Sequence, residues 1–282
     1  MARDVDAWQA AGLRHEVDDG VAWLRLDRPE KRNAMDHRPG GAGPGGMGLR
    51  DALLDAIQDA SEDRAIRVGV ITGTGRAFSA GADLRQPGGA LEIPEDRRRA
   101  PTAARDDGIL YGWYRLFEAI WRSETPFVAA VNGPAVGGGC QLALACDLIY
   151  AAESATFWEI FARVGLPLEG GAAWLLTRSI SLPRAKELAL LADPLPAARA
   201  AEWGLINGCV PDEELESTVR EVATRLAHLG PPNAGPMAGV ERDLSARVGH
   251  VKGQLNAAWE QTMWQTFREE VALLNQPAGE AP

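Results

Sequence analysis

The apolar positions of this chain form short continuous runs, separated by longer stretches in which they recur every three or four residues. Residues 13–17 and 21–27 read as two strands, and the Asp18-Asp19-Gly20 turn between them is a hairpin signal. Pro29 ends the second strand, and the Gly- and Pro-rich residues 37–48 predict a loop. Leu49, Leu53, Ala56, Ile57 and Ala60 share one face, which predicts a helix over 49–61. Residues 68–72, 127–131 and 148–152 are short apolar runs with the length of buried strands, and helices are predicted between them over 107–121 and 138–145. A polar stretch at 86–105, rich in Pro and Arg, predicts a loop of the kind that covers active sites. From residue 182 the pattern is mostly helical, apart from a short strand near 205–210. A last helix over 255–274 carries Leu255, Trp259, Met263, Phe267 and Val271 at intervals of four. That stripe fits packing within one subunit and contact between subunits equally well.

Strands alternating with helices predict an α/β layer with right-handed crossovers. The core is expected over residues 1–210, with a helical region for packing and assembly over 211–282. Composition narrows the function classes. With 46% hydrophobic and 24% charged residues, the chain is neither disordered nor built to span a membrane. The first ten residues lack an apolar signal core, so the cytoplasm is the expected location. A formal charge of −10 argues against a nucleic-acid partner, which needs a basic face. Cys140, Cys146 and Cys209 give an odd count without paired spacing, and the four histidines are scattered, so neither a disulfide framework nor a metal site is indicated.

Two glycine-rich turns carry the candidate chemistry. Residues 127–146, FVAAVNGPAVGGGCQLALAC, run from a buried strand through three glycines into a helix. Free N–H groups and aligned peptide dipoles at a helix start favour negative charge, and glycine lets a ligand approach the backbone. Residues 76–84, RAFSAGADL, follow the preceding strand. Two such turns can place two N–H donors around one oxygen, and losing one donor from such a pair costs about 3–4 kcal/mol of transition-state stabilisation. GTGRAF is not a dinucleotide fingerprint, because Phe78 replaces its third glycine.

In this order and spacing, DRPEKRNAM, RAFSAGADL, AAVNGPAVGGGCQLALACDLIYAAESATF and AAEWGLINGCVP resemble consecutive signatures of the crotonase (enoyl-CoA hydratase/isomerase) superfamily. The resemblance implies a ββα spiral core followed by a helical region, and a homotrimer or dimer of trimers. It also implies an acyl-CoA substrate and no separate cofactor, coenzyme A entering as part of the substrate. Carried over by position, the oxyanion hole falls on the N–H groups of Ala80 and Gly138. Arg28, Lys31 and Arg32, with Ser79 and Ala82, match segments that border the CoA moiety. Trp113, with Tyr111 and Tyr114, lies on the helix that lines the acyl pocket in relatives; core packing is the alternative for each.

The sequence departs from the hydratases of this family at both catalytic acids, where it has Gln141 and Phe161. A Gln amide hydrogen-bonds but exchanges no proton at neutral pH, and Phe does neither. Hydration needs two acid–base tasks. A different acid, Glu169 in LEGGAAW, falls where Δ3,Δ2-enoyl-CoA isomerases of one branch carry their catalytic Glu. Its rival role is to satisfy free N–H groups at a helix start. Glu159 matches no family role and reads as solvated or structural; Asp83 and Asp147 read as structural. Three functions follow: an isomerase using Glu169, another crotonase chemistry such as hydration or C–C or thioester hydrolysis using the same acid, or a silent CoA-binding subunit.

Overall fold

The structure, a computed structural model, describes residues 4–36, 47–83, 109–229 and 245–259. A six-stranded sheet forms its centre, in the order β1 (Leu13–Asp18), β2 (Val21–Leu26), β3 (Val68–Gly73), β4 (Phe127–Val131), β6 (Leu148–Ala152) and β9 (Gly208–Val210). The first pair is antiparallel, from Leu13 opposite Leu26 to Asp18 opposite Val21, and every later pair is parallel. Asp19 (φ 48°) and Gly20 (φ 78°) make the left-handed pair that a tight hairpin requires. The interior strands β3 and β4 are buried at every position, as expected of parallel strands covered on both faces.

Helices cover this sheet. Besides the short N-terminal α1 (Val5–Ala10), α2 (Leu49–Glu62) packs on α3 (Ile109–Arg122). Of the later helices α4 (Gly138–Leu144), α5 (Ala172–Ser179), α6 (Leu182–Lys186), α7 (Ala197–Glu202) and α8 (Leu215–Ala227), the last lies across β2, β3, β4 and β6. Its residues Leu215, Val219, Ala223 and Ala227, four apart, are its buried face. A second sheet joins β5 (Ala135–Val136), β7 (Thr156–Trp158) and β8 (Leu195–Pro196). These strands of two or three residues are too short to show alternation in the sequence, so the pattern did not predict them.

The C-terminal helix α9 runs over Ser245–Ala258, beginning ten residues before the apolar stripe. Its Lys252 is buried; Nζ donates to Ile120 O (2.7 Å) and Thr125 O (3.2 Å) and pairs with Asp147 Oδ2 at 2.8 Å. Asp147 also accepts the Phe127 N–H at 2.7 Å, so one carboxylate ties the helix to the start of β4. Trp259 packs on its own subunit, its ring 5.6 Å from Trp121 and 5.2 Å from Trp174, yet it and Leu255 both remain exposed. Met263, Phe267, Val271, the 86–105 loop and most of the 37–48 loop lie outside the described residues. No helix among the described residues is long and apolar enough to cross a membrane.

Candidate active site

The turn after β3 is held by a buried asparagine. Asn33, itself left-handed (φ 55°), donates from Nδ2 to Thr74 O (3.0 Å) and Ala77 O (2.8 Å) and accepts the Arg28 N–H on Oδ1 at 2.9 Å. Ser79 is fully buried: its hydroxyl donates to Asn33 O (2.8 Å) and accepts the Gly81 N–H (3.1 Å), while its carbonyl accepts the Val136 N–H (2.9 Å). Ser79 was expected to border a ligand; instead it joins this turn to β5. The Ala80 N–H, expected to line an oxyanion hole, donates to Arg32 O at 2.9 Å. Gly81 O accepts from Met35 N and Asp83 N donates to Met35 O. The N–H left over is that of Ala82, which meets no acceptor among the described residues. Ala80 is therefore corrected to Ala82 as the donor this turn can offer.

The second turn brings Gly138 beside it. Gly137 (φ 51°) caps α4, and Gly138 opens the helix, where an N–H has no intrahelical partner. Among the described residues the Gly138 N–H meets no acceptor. The two turns touch through Gly81 (φ 77°), where a Cβ would stand 2.5 Å from Val136 O and 3.0 Å from Gly138 N. No other residue type permits that approach, and it sets the unshared N–H groups of Ala82 and Gly138 side by side.

Apolar walls surround this pair. A Cβ on Gly138 would lie 2.8 Å from the Trp113 ring, which places that ring against the helix start, with Phe117 5.8 Å from it. Phe161 is buried near Gly137. Gln141, one turn along α4, is 1% exposed, and a Cβ on Gly170 would stand 3.2 Å from its Oε1. Glu169 precedes Gly170 and is half-buried. The helix behind it is capped by Gly171 (φ 77°), two residues on, so Glu169 is not the N-cap of α5. Glu159 is wholly buried rather than solvated, and Gln141 Nε2 donates to its Oε2 at 2.8 Å. Burial pushes its carboxyl up to about 7, against hydrogen bonds from Cys140 and Gln141 that act downwards. The same burial, reinforced by Glu159, raises the Cys140 thiol well above its usual value.

Among the basic residues expected near a CoA moiety, Arg28 pairs with Asp36 at 3.1 Å, lies 3.8 Å from Asp83 and donates to Ala34 O. Its side chain is 12% exposed, so it serves the loop rather than a ligand. Lys31 is half-exposed, 3.6 Å from Asp83, and Arg32 is exposed, with no ion pair among the described residues. Arg28→Met should leave the buried Asp36 carboxylate without its ion-pair partner and cost about 3–5 kcal/mol of stability, read from the shift in a urea unfolding curve.

Two unshared N–H groups side by side against apolar side chains, with a carboxylate nearby, have the chemistry to stabilise charge on a carbonyl oxygen. The enoyl-CoA hydratase/isomerase family model matches residues 16–271, and the chain belongs to that family. It is 37% identical over 239 residues to a Rhodobacter capsulatus protein named probable enoyl-CoA hydratase, covering 84% of this chain and 82% of that one. Over 214 residues it is 35% identical to the 1,2-epoxyphenylacetyl-CoA isomerase of Escherichia coli, covering 75% and 74%. Among solved structures, a proposed enoyl-CoA hydratase from Thermobifida fusca, in complex with CoA, superposes with a TM-score of 0.75 at 28% identity, covering 97% of this chain and 96% of that one. The crotonase-type fold expected from the sequence is the observed one.

Proposed function

We propose that this protein shifts a double bond in an acyl-CoA from Δ3 to Δ2. Ala82 and Gly138 N–H groups hold the thioester oxygen. Glu169 removes a proton from C2, the electrons pass through a dienolate whose charge rests on that oxygen, and the same acid returns the proton to C4. One acid–base group suffices, and no water enters. The observation that carries the reading is the wall beside the N–H pair: the hydratase acids are replaced by a buried amide, Gln141, and an apolar ring, Phe161, while Glu169 stands next to the glycine that touches Gln141. The named isomerase among the relatives supports this class of chemistry, and the CoA-bound neighbour supports the substrate class.

Hydration is the second reading, favoured by the name of the R. capsulatus relative. It needs water activation and proton delivery, for which Gln141 and Phe161 offer no exchangeable proton at neutral pH. Mass spectrometry of products separates the two: isomerisation leaves the mass of a 3-enoyl-CoA unchanged, whereas hydration of a 2-enoyl-CoA adds one water. A chain that binds CoA esters and converts none would be the silent CoA-binding subunit. The exposed Leu255 supports an assembly through α9, as trimer or hexamer.

Binding of the CoA phosphates rests on Arg32 and Lys31. Arg32→Ala should weaken a CoA ester roughly two- to fivefold, the scale of one solvent-screened charge contact. Calorimetry at rising salt should show the difference between wild type and variant shrinking.

A further inference from the structure

Glu159 immediately precedes the 3-10 turn Ile160–Val164 and is 0% exposed. Oε2 accepts from Gln141 Nε2, and Oε1 has no hydrogen-bond partner among the described residues. An ionised carboxylate only accepts, so it fixes which end of the amide faces it: the NH2 group inward, Oε1 outward. Outward is the Gly170 backbone, beside Glu169.

We propose that Glu159 is a positioning residue: it locks the Gln141 amide so that Oε1 is held toward Gly170, beside Glu169, as a fixed hydrogen-bond acceptor, and it withdraws that acceptor when it takes up a proton. This rests on the reaction being run at Ala82, Gly138 and Glu169. In that cycle Glu169 is a neutral acid between C2 and C4, and an acceptor on the adjoining wall steadies its hydroxyl. Protonated on Oε2, Glu159 becomes a donor at the oxygen that faces Gln141, and the acceptor that the Gln141 side chain can offer it is its amide oxygen. The amide then turns over and presents NH2 toward Gly170, where it no longer accepts.

The groups that bear on Glu159 come from α4: the Cys140 thiol and the Gln141 amide. Strand β7 contributes no charged side chain, and Arg163 of the following turn is engaged by Ala192 O and Asp193. With its carboxyl pushed up to about 7, Glu159 is ionised and the lock set above that pH; below it the lock opens.

The test has an arm that needs no turnover. Infrared difference spectra between about pH 8 and 6, bracketing that range, should show a protonated-carboxyl band growing as pH falls. The band should be absent in Glu159→Gln. Gln141→Met, which removes a hydrogen bond to the ionised form, should move the titration to higher pH. In the rate arm, wild-type kcat for C2 deuterium wash-out should fall below about pH 7. Glu159→Gln should remove that step and lower kcat about tenfold, the scale of one hydrogen bond to a charged group, with KM within about twofold. A band that survives Glu159→Gln, a rate step that persists in it, or a titration unmoved by Gln141→Met overturns the proposal. If Glu159→Gln does not fold, the Gln141→Met titration decides alone. Should wild type turn over no enoyl-CoA while the infrared titration behaves as described, the lock stands and the isomerase reading falls.

Discussion

Replacing Glu169 by Gln is expected to lower turnover of a 3-enoyl-CoA by at least about 100-fold, the lower end for a positioned general base, with affinity for the CoA ester close to wild type. The substitution keeps the size and polarity of the side chain and removes only its capacity to take a proton. Glu169 is half-buried and lies outside the interior of the sheet, so the folded state should tolerate the change. Deuterium from solvent should enter C2 or C4 with wild type and not with the variant. Full isomerase activity in Glu169→Gln would remove the residue from the mechanism, whatever the fate of the oxyanion hole.

The second large effect is expected from Ala82→Pro. Proline deletes the N–H that the structure leaves without an acceptor and keeps the carbonyl. The bonds that hold this segment to Met35 run through Gly81 O and Asp83 N, so the bridge between the two segments survives. Removing one of two oxyanion donors is worth about 10²–10³ in kcat, so turnover should fall by that factor with little change in melting temperature. Ala80→Pro makes the contrasting control: it deletes a donor already spent on Arg32 O and should appear as lost stability. If Ala82→Pro keeps wild-type turnover, the thioester oxygen does not sit on this turn.

Much of the fold was legible because its interior strands are continuous apolar runs with sharp ends. Pro126 and Asp147 mark where β4 and β6 begin, and the bounds read from the pattern are the observed ones. The small sheet was not legible, since Ala135–Val136 and Leu195–Pro196 hold too few residues for any period. At the site, the two turns were evident from their glycines, but not which N–H each leaves free. In SAGA several donors stand in a row, and only the positions of Arg32 O and Met35 O decide among them. Arg28 read as bordering the CoA moiety because nothing nearby in sequence shows that Asp36 and Asp83 close around it. Glu159 was missed as a partner of Gln141, eighteen positions away. The signal was there, an acid inside Trp158-Glu159-Ile160-Phe161, a run otherwise apolar.

The order of strands in the central sheet, β1-β2-β3-β4-β6-β9, is also their order along the chain. A polypeptide leaving the ribosome N-terminus first therefore offers each new strand an edge already made, and no strand has to be inserted between two that have paired. The hairpin pairs residues close in sequence, and each later strand can add to its open edge as it emerges. The Lys252–Asp147 tie is then among the last long-range contacts to form, a latch thrown after the sheet is complete.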